Sequence, residues 1–353
     1  MKITAVTAQR ISIPLTEPFV ISLGAVDTAE TIYVRIETDE GLIGYGEGAP
    51  VAFVTGETPE TVMGAVEMFT SMLLGLSPYA IEHIHREMDR MLVGNGSAKA
   101  AIDLACYDLM AKAADLPLYR FLGGVNSTVE TDLTIGIGKP KTMARKASSI
   151  VEQGYREIKV KAGSDDELDR TAIALIRKAA PKAQLKVDAN QGWTVPQALA
   201  MLSYYTDFGV GAVEQPLPFW DLEGMALVRS RSPIPIMADE SCFTPHDASK
   251  IVRTGAADLI NIKLMKCGGI YRALQIASIA EAAGVRTMLG CMLESRLAIS
   301  AGAHLVASRP NFVYADLDSF NDFDDSSVVS SAFDWKVPYI RLSEQPGLGV
   351  DLV

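Results

Sequence analysis

Residues that build soft-metal and redox centres are scarce here: the chain of 353 residues has four cysteines and four histidines. Cys106, Cys242, Cys267 and Cys291 are scattered without a CxxC pair, which argues against a zinc site or a disulfide frame and for reduced, structural thiols. There is no Lys/Arg-rich block. With 43 acidic and 32 basic residues dispersed along the chain and a net charge of −11, nothing is arranged to follow a phosphate backbone, so nucleic acid is not an expected partner. Long apolar runs are missing too. The first residues, MKITAVTAQRISIPL, are interrupted by Gln9, Arg10 and Ser12, so they lack the apolar core of a signal peptide, and no stretch approaches membrane-spanning length. A cytoplasmic protein with no membrane partner is expected.

What is present is a 48% hydrophobic chain able to bury a large core, with no low-complexity segment or linker. The segments ITAVTAQRISIPL and AETIYVRIETDEGLIGYGEGAP alternate apolar and polar residues around Asp39-Glu40-Gly41, the pattern of antiparallel strands joined by a tight turn. TPETVMGAVEMFTSMLLG and SAKAAIDLACYDLMAKAADLPLYRFLGG follow with helical spacing and glycine ends. Residues 1–125 therefore read as an α+β capping domain. From Thr131 to about Asp318 the order is strand, polar or glycine-rich end, amphipathic helix, repeated. That predicts parallel βαβ units closed into a modified TIM barrel of (β/α)7β type over 126–320, with 321–353 returning to the capping domain.

Strands buried in a barrel should be nearly continuous Val, Ile and Leu, so charges at their ends need a cause. IKVKAG, LKVDANQG, AVEQP, IPIMADES and LINIKLMKCGG place Lys159, Lys161, Asp188, Glu214, Asp239 and Lys263 at one end of the barrel. Asp188, Glu214 and Asp239 recur about every 25 residues, one strand plus one crossover helix, so they stand on successive strands. Lys161 and Lys263 are about four units apart, half the circumference of an eight-stranded ring. A single charge of this kind reads equally well as a strand-end salt bridge; six in one register do not. Three carboxylates without His or Cys nearby are hard ligands suited to Mg²⁺, with Mn²⁺ a substitute. Lys159 and Lys161 share a face by the two-residue period, and each is expected to lower the other's pKa, leaving one amine able to act as a base. Asn190 and Gln215 could steady the metal carboxylates, or could be turn residues.

The K-x-K of Lys159 and Lys161, the D-x-N of Asp188 and Asn190, the EQP at Glu214, the DES at Asp239, and Lys263 together resemble the muconate lactonizing subgroup of the enolase superfamily, and most of all its dipeptide epimerases. The resemblance spans the whole chain. It implies that Asp188, Glu214 and Asp239 bind Mg²⁺, that Lys161 and Lys263 exchange protons beside a substrate carboxylate, and that Lys159 stabilises the enediolate; a Lys base with Mg²⁺ is the general pattern of that superfamily. A homo-oligomer is implied on the same ground. The subgroup also contains o-succinylbenzoate synthase, muconate cycloisomerase and N-acylamino acid racemase, and a non-catalytic binding barrel is the remaining alternative. The last strand, VYADLDSF, sets Asp316 and Asp318 on one face, similar to the pair that holds a dipeptide's ammonium; an acidic loop continuing to Asp325 is the plainer account. Thr134, Met292 and Glu294 are expected to line the remaining pocket.

One departure bears on substrate. Epimerases for Ala-Glu carry a cation in the N-terminal loop, whereas PFVISLGAVD has none and Gly24 stands about where it belongs. An acidic side chain would lack a counterion there, so hydrophobic, small or cationic dipeptides are expected over Ala-Glu, with Phe19, Ile21, Phe53 and Val54 as a candidate pocket.

Overall fold

The computed structural model describes residues 1–353. Three antiparallel strands open the chain in the order β1 (Ile3–Ile21), β2 (Gly24–Thr38) and β3 (Ile43–Gly48). Their alternation buries Ile3, Ile32, Val34 and Ile36 on one face. Helices α1 (Ala52–Thr55), α2 (Pro59–Leu73), α3 (Ile81–Met91), α4 (Gly96–Ala113) and α5 (Leu118–Phe121) follow. Val62, Val66 and Phe69 of α2 close a core with that face and with Ile102 and Leu109 of α4. The first turn of α2 is set by its sequence: Thr58 and Thr61 exchange side-chain and backbone bonds, with Pro59 at a position that needs no N–H. Strand β4 (Thr128–Glu130) leads into the second domain.

Eight parallel strands form one sheet in sequence order: β5 (Leu133–Ile135), β6 (Glu157–Lys161), β7 (Gln184–Asp188), β8 (Val210–Glu214), β9 (Ile236–Ala238), β10 (Leu259–Lys263), β11 (Arg286–Gly290) and β12 (Phe312–Asp316). The crossovers are α6 (Pro140–Gln153), α7 (Asp166–Ala179), α8 (Val195–Thr206), α9 (Leu222–Arg231), α10 (Pro245–Thr254), a single turn α11 (Leu264–Cys267) with α12 (Ile270–Ala282), and α13 (Arg296–Ser308). The sheet is nearly closed. Asp132 N–H donates to Ala315 O at 3.2 Å and Leu317 N–H to the Thr131 hydroxyl at 2.8 Å, joining last strand to first. This is the (β/α)7β barrel expected from the sequence. No helix is long and apolar enough to cross a membrane.

The tail forms β13 (Val329–Ser331), β14 (Asp334–Lys336), β15 (Tyr339–Arg341) and β16 (Asp351–Leu352). Of these, β15 pairs with β4, while Gly347 O accepts from Leu118 N–H at 2.8 Å and Leu348 N–H donates to Asp108 Oδ1 of α4 at 2.9 Å. Carboxylates of the first domain also cap barrel helices. Glu47 accepts from Ser295 and Ala298 N–H at 2.9 Å each, at the start of α13, and Asp103 accepts from Ile270 N–H at 2.5 Å, at the start of α12. Four orphan donors at a helix start carry partial positive charge, so a buried carboxylate there is well placed. The tip of the β1–β2 hairpin lies over the barrel mouth, with Ser22 Oγ donating to Asn190 O at 2.9 Å and Ile137 N–H to Val20 O at 2.9 Å.

Candidate active site

Strand register brings the acidic triad together. Asp188 pairs laterally with Glu214, and Glu214 with Met237 next to the loop that carries Asp239. Ligand oxygens of Asp188, Glu214 and Asp239 lie within 4.8 Å of one another, all buried. Lys161 Nζ meets Asp188 Oδ2 at 2.6 Å, and Lys263 Nζ meets Asp239 Oδ2 at 3.0 Å, so the two lysines tie down the two ends of the triad. Lys159 Nζ lies at 2.9 Å from Glu214 Oε2 and 3.1 Å from Asp188 Oδ2. Asp239 Oδ2 makes no hydrogen bond of acceptable angle within the protein despite its ion pair. Buried hard oxygens converging with one left so fit a divalent cation.

Burial pushes Asp188 and Asp239 up, yet the lysines beside them outweigh it and hold both carboxyls below the ordinary range. Glu214 goes the other way, to about 8, from burial and from the charge of Asp188. The expected mutual lowering of the Lys159 and Lys161 pKa values is not what governs Lys159. Burial lowers it, but Asp316, Glu214 and Asp188 together raise it well above the ordinary amine; Lys263 is raised in the same way by Asp239. Coulomb attraction from carboxylates about 3 Å away exceeds repulsion along the strand.

Asp316 and Asp318 form a second acidic group with Asp132, which stands just ahead of β5 and carries no strand-end signal in the sequence. Asp316 Oδ2 accepts from Lys159 Nζ at 2.7 Å, Asp318 Oδ2 from Thr134 N–H at 2.7 Å, and Asp132 Oδ2 pairs with Lys186 Nζ at 2.7 Å. Thr134 thus positions the aspartates, its hydroxyl reaching Asp316 Oδ1 at 3.4 Å. Lys159 pulls Asp316 below the ordinary range against burial, whereas burial and the Asp316 charge push Asp318 up to about 7. The plain acidic-loop account does not describe two buried carboxylates facing the barrel interior.

Asn190 N–H donates to Asp188 Oδ1 at 2.9 Å, and its side chain joins Lys161 Nζ at 3.0 Å to Glu240 Oε1 at 3.0 Å. Gln215 instead holds the backbone of the next loop, accepting from Asp239 N–H at 2.8 Å. Both residues, with Gln191, have left-handed backbone, φ 38°, 34° and 70° in the order Asn190, Gln215, Gln191. Such backbone costs about 1 kcal/mol or more for a residue with a Cβ and persists where the surroundings dictate it. Met292 is buried, and Glu294 turns its carboxylate back onto Met292 N–H at 2.9 Å; burial pushes it up to about 8. Phe19 lies by Gly136 beside the mouth, and Ile21 pairs with Gly24 at the hairpin tip. Phe53 and Val54 line an open cavity of about 720 Å³ with Leu23, Phe219, Trp220 and Phe243. A Cβ on Gly24 would lie 3.1 Å from the Phe53 ring.

An acid triad flanked by opposed lysines, at the C-terminal end of a (β/α)7β barrel and under a separate α+β domain, defines a barrel enzyme for metal-assisted proton transfer. Residues 3–123 match the mandelate racemase / muconate lactonizing enzyme N-terminal domain and residues 142–353 the enolase C-terminal domain-like family. The chain belongs to this family, within the enolase superfamily. It is 44% identical over 352 residues to the hydrophobic dipeptide epimerase of Enterococcus faecalis, covering 99% of both chains, and 41% identical over 355 residues to the L-Ala-D/L-Glu epimerase of Bacillus subtilis, covering 99% of this chain and 97% of the other. The crystal structure of the Enterococcus faecalis dipeptide epimerase with Mg and L-Leu-L-Tyr superposes with a TM-score of 0.97 at 44% identity, covering 99% of this chain and 100% of that one.

Proposed function

We propose that this chain is a Mg²⁺-dependent dipeptide epimerase acting at the α-carbon of the C-terminal residue, with hydrophobic, small or cationic dipeptides preferred over Ala-Glu. The observation that carries this reading is the buried pair Asp316 and Asp318 beside the metal triad, joined to it by Lys159. An acidic pair suits a free ammonium and opposes an N-acylated amino acid or a dicarboxylate. Relatives with both kinds of substrate exist, including an N-succinyl-L-Arg/Lys racemase of Bacillus cereus at 38% identity, so identity alone does not choose.

Asp188, Glu214 and Asp239 are the residues that would hold the metal, with Mn²⁺ an acceptable replacement for Mg²⁺. When bound it supplies the positive charge that engages the substrate carboxylate and acidifies the neighbouring C–H. Asp316 and Asp318 anchor the ammonium at the other end and so orient the α-carbon between the lysines. Of Lys161 and Lys263, one removes the α-proton and the other delivers a proton to the opposite face, inverting the centre. Lys159, fixed by Asp188 and Glu214, supplies an ammonium to stabilise the negative charge that develops on the substrate carboxylate as the enediolate forms. No cation stands at Gly24, and the cavity lined by Phe53 sets Glu240 and Asp247 against a single cation, Lys250, which supports the preference for uncharged or basic residues. Four unpaired thiols support a reducing, cytoplasmic setting, and homo-oligomeric assembly rests on the family resemblance.

Incubating mixed L,L-dipeptide libraries with the enzyme and Mg²⁺ in D₂O tests this. Inversion must add one deuteron to the α-carbon, so a one-mass-unit gain confined to particular dipeptides identifies both reaction and preference. Exchange only into N-acyl amino acids, or faster exchange of Ala-Glu than of neutral dipeptides, would overturn the reading.

A further inference from the structure

Each triad carboxylate is gripped from behind by a different donor, and each grip takes one oxygen only. Asp188 Oδ1 accepts from Asn190 N–H at 2.9 Å, Glu214 Oε1 from Asn261 Nδ2 at 2.7 Å, and Asp239 Oδ1 from the Lys266 ammonium. The second oxygens, Asp188 Oδ2, Glu214 Oε2 and Asp239 Oδ2, are the ones that meet Lys161, Lys159 and Lys263 at the centre. The gripping groups are themselves fixed. Lys266 Nζ also donates to Asp239 O at 2.5 Å and Asn261 O at 3.1 Å, and is fully buried in its side chain. The Asn261 side chain leans over Gly290 of β11, the residue paired with Lys263; a Cβ there would lie 2.7 Å from Asn261 Oδ1. Neither residue touches the lysine pair's role in proton transfer, and nothing in the acid–base scheme requires them.

We infer that Asn261 and Lys266 are metal-selectivity residues: by occupying one oxygen of Glu214 and one of Asp239, they force single-oxygen ligation and so make the site reject Ca²⁺ in favour of a smaller dication. Ca²⁺ takes six to eight oxygens at longer distances and commonly draws two from one carboxylate, whereas Mg²⁺ takes about six in a tight octahedron and keeps water in the rest. With Asn190 gripping the third carboxylate through its backbone, the protein offers three oxygens and no more. Removing a grip frees a carboxylate to turn and chelate with both oxygens. The benefit falls on Ca²⁺.

This inference rests on the metal reading of the triad, and the test separates the two. Dissociation constants for Mg²⁺ and for Ca²⁺ are measured by titration calorimetry on the full chain without substrate, for the wild type, Asn261→Leu and Lys266→Met. Lys266→Met deletes a positive charge and will tighten both ions, so the ratio of the two constants is the readout; Asn261→Leu leaves charge unchanged and is the independent check. The expected result is a wild type that prefers Mg²⁺ and a preference that falls by about tenfold or more in each folded variant, through gained Ca²⁺ affinity. An unchanged ratio in either folded variant overturns the selectivity role while leaving the metal site intact. Absence of binding of both ions to the wild type overturns the metal reading and this inference together.

Discussion

Lys159 reaches Asp316 at 2.7 Å while also contacting Glu214 at 2.9 Å, so a single ammonium holds together the carboxylates assigned to the metal and those assigned to the substrate amine. Lys159→Met keeps the length and loses the charge. We expect kcat to fall by about 10²-fold or more, as for loss of a preorganised electrostatic donor, with KM for the dipeptide changing by less than tenfold. Steady-state kinetics checks it; a rise in KM with kcat intact would show that Lys159 serves binding alone.

Replacing either flanking lysine separates inversion from proton exchange. In Lys161→Ala or Lys263→Ala, epimerisation should drop by at least about 10³-fold, because one face loses its proton carrier. The remaining lysine should still exchange the α-proton of one enantiomer with solvent. Proton NMR in D₂O on each pure enantiomer reads this, with the two variants expected to show opposite preferences. Retained epimerisation in either would sink the two-base scheme.

Gly24→Arg is expected to shift preference toward Ala-Glu by supplying the missing counterion. The new Cβ meets the Phe53 ring at 3.1 Å, so that ring must give by a few tenths of an ångström. Pairing the change with Phe53→Leu relieves the contact. Competition between Ala-Glu and a neutral dipeptide in one reaction should show the ratio of kcat/KM moving about tenfold or more toward Ala-Glu.

His304 offers a test of stability. Tyr119 N–H donates to its Nδ1 at 3.0 Å, so the other nitrogen carries the proton and donates to Leu348 O at 3.2 Å. Burial pushes its pKa down to about 4. The unfolded state therefore binds more protons between about pH 6.5 and 4, and stability falls as pH falls through that window, by up to about 3 kcal/mol. Urea titrations of the wild type and His304→Gln should diverge in slope across those pH values and run parallel above pH 7. Identical pH profiles would mean that His304 is not buried neutral.

Strand ends gave the barrel away because a parallel strand buried on both faces has no use for Asp188, Glu214 or Lys161 except at a site. Asn261 and Lys266 escaped notice although both lie within three residues of Lys263: an asparagine in a strand and a lysine in a one-turn helix carry no signal until their partners are placed. The raised pKa of Lys159 was hidden for the same reason, since the sequence shows its neighbour along β6 but not the carboxylates arriving from β7, β8 and β12. Helix α3, IEHIHREMDRM, is sparse in apolar residues because it buries only Ile84, His85 and Met88, and the buried His85 has its partner in Asp103 at 2.7 Å, on another helix. Alternation identified β1 and β2 as strands, yet where their hairpin docks depends on Ser22 meeting a loop 168 residues away.

Glu47 and Asp103 also set an order of events during synthesis. Asp103 waits for a backbone N–H 167 residues downstream and Glu47 for one 248 residues downstream. Until those residues emerge, Asp103 has only His85 and Glu47 only the Thr31 hydroxyl as partners within the nascent capping domain, and the backbone donors that complete the compensation of their burial are still missing. Contacts of such long sequence separation are slow to form because the intervening chain has to be ordered first. These contacts between cap and barrel therefore form only once the barrel is nearly complete.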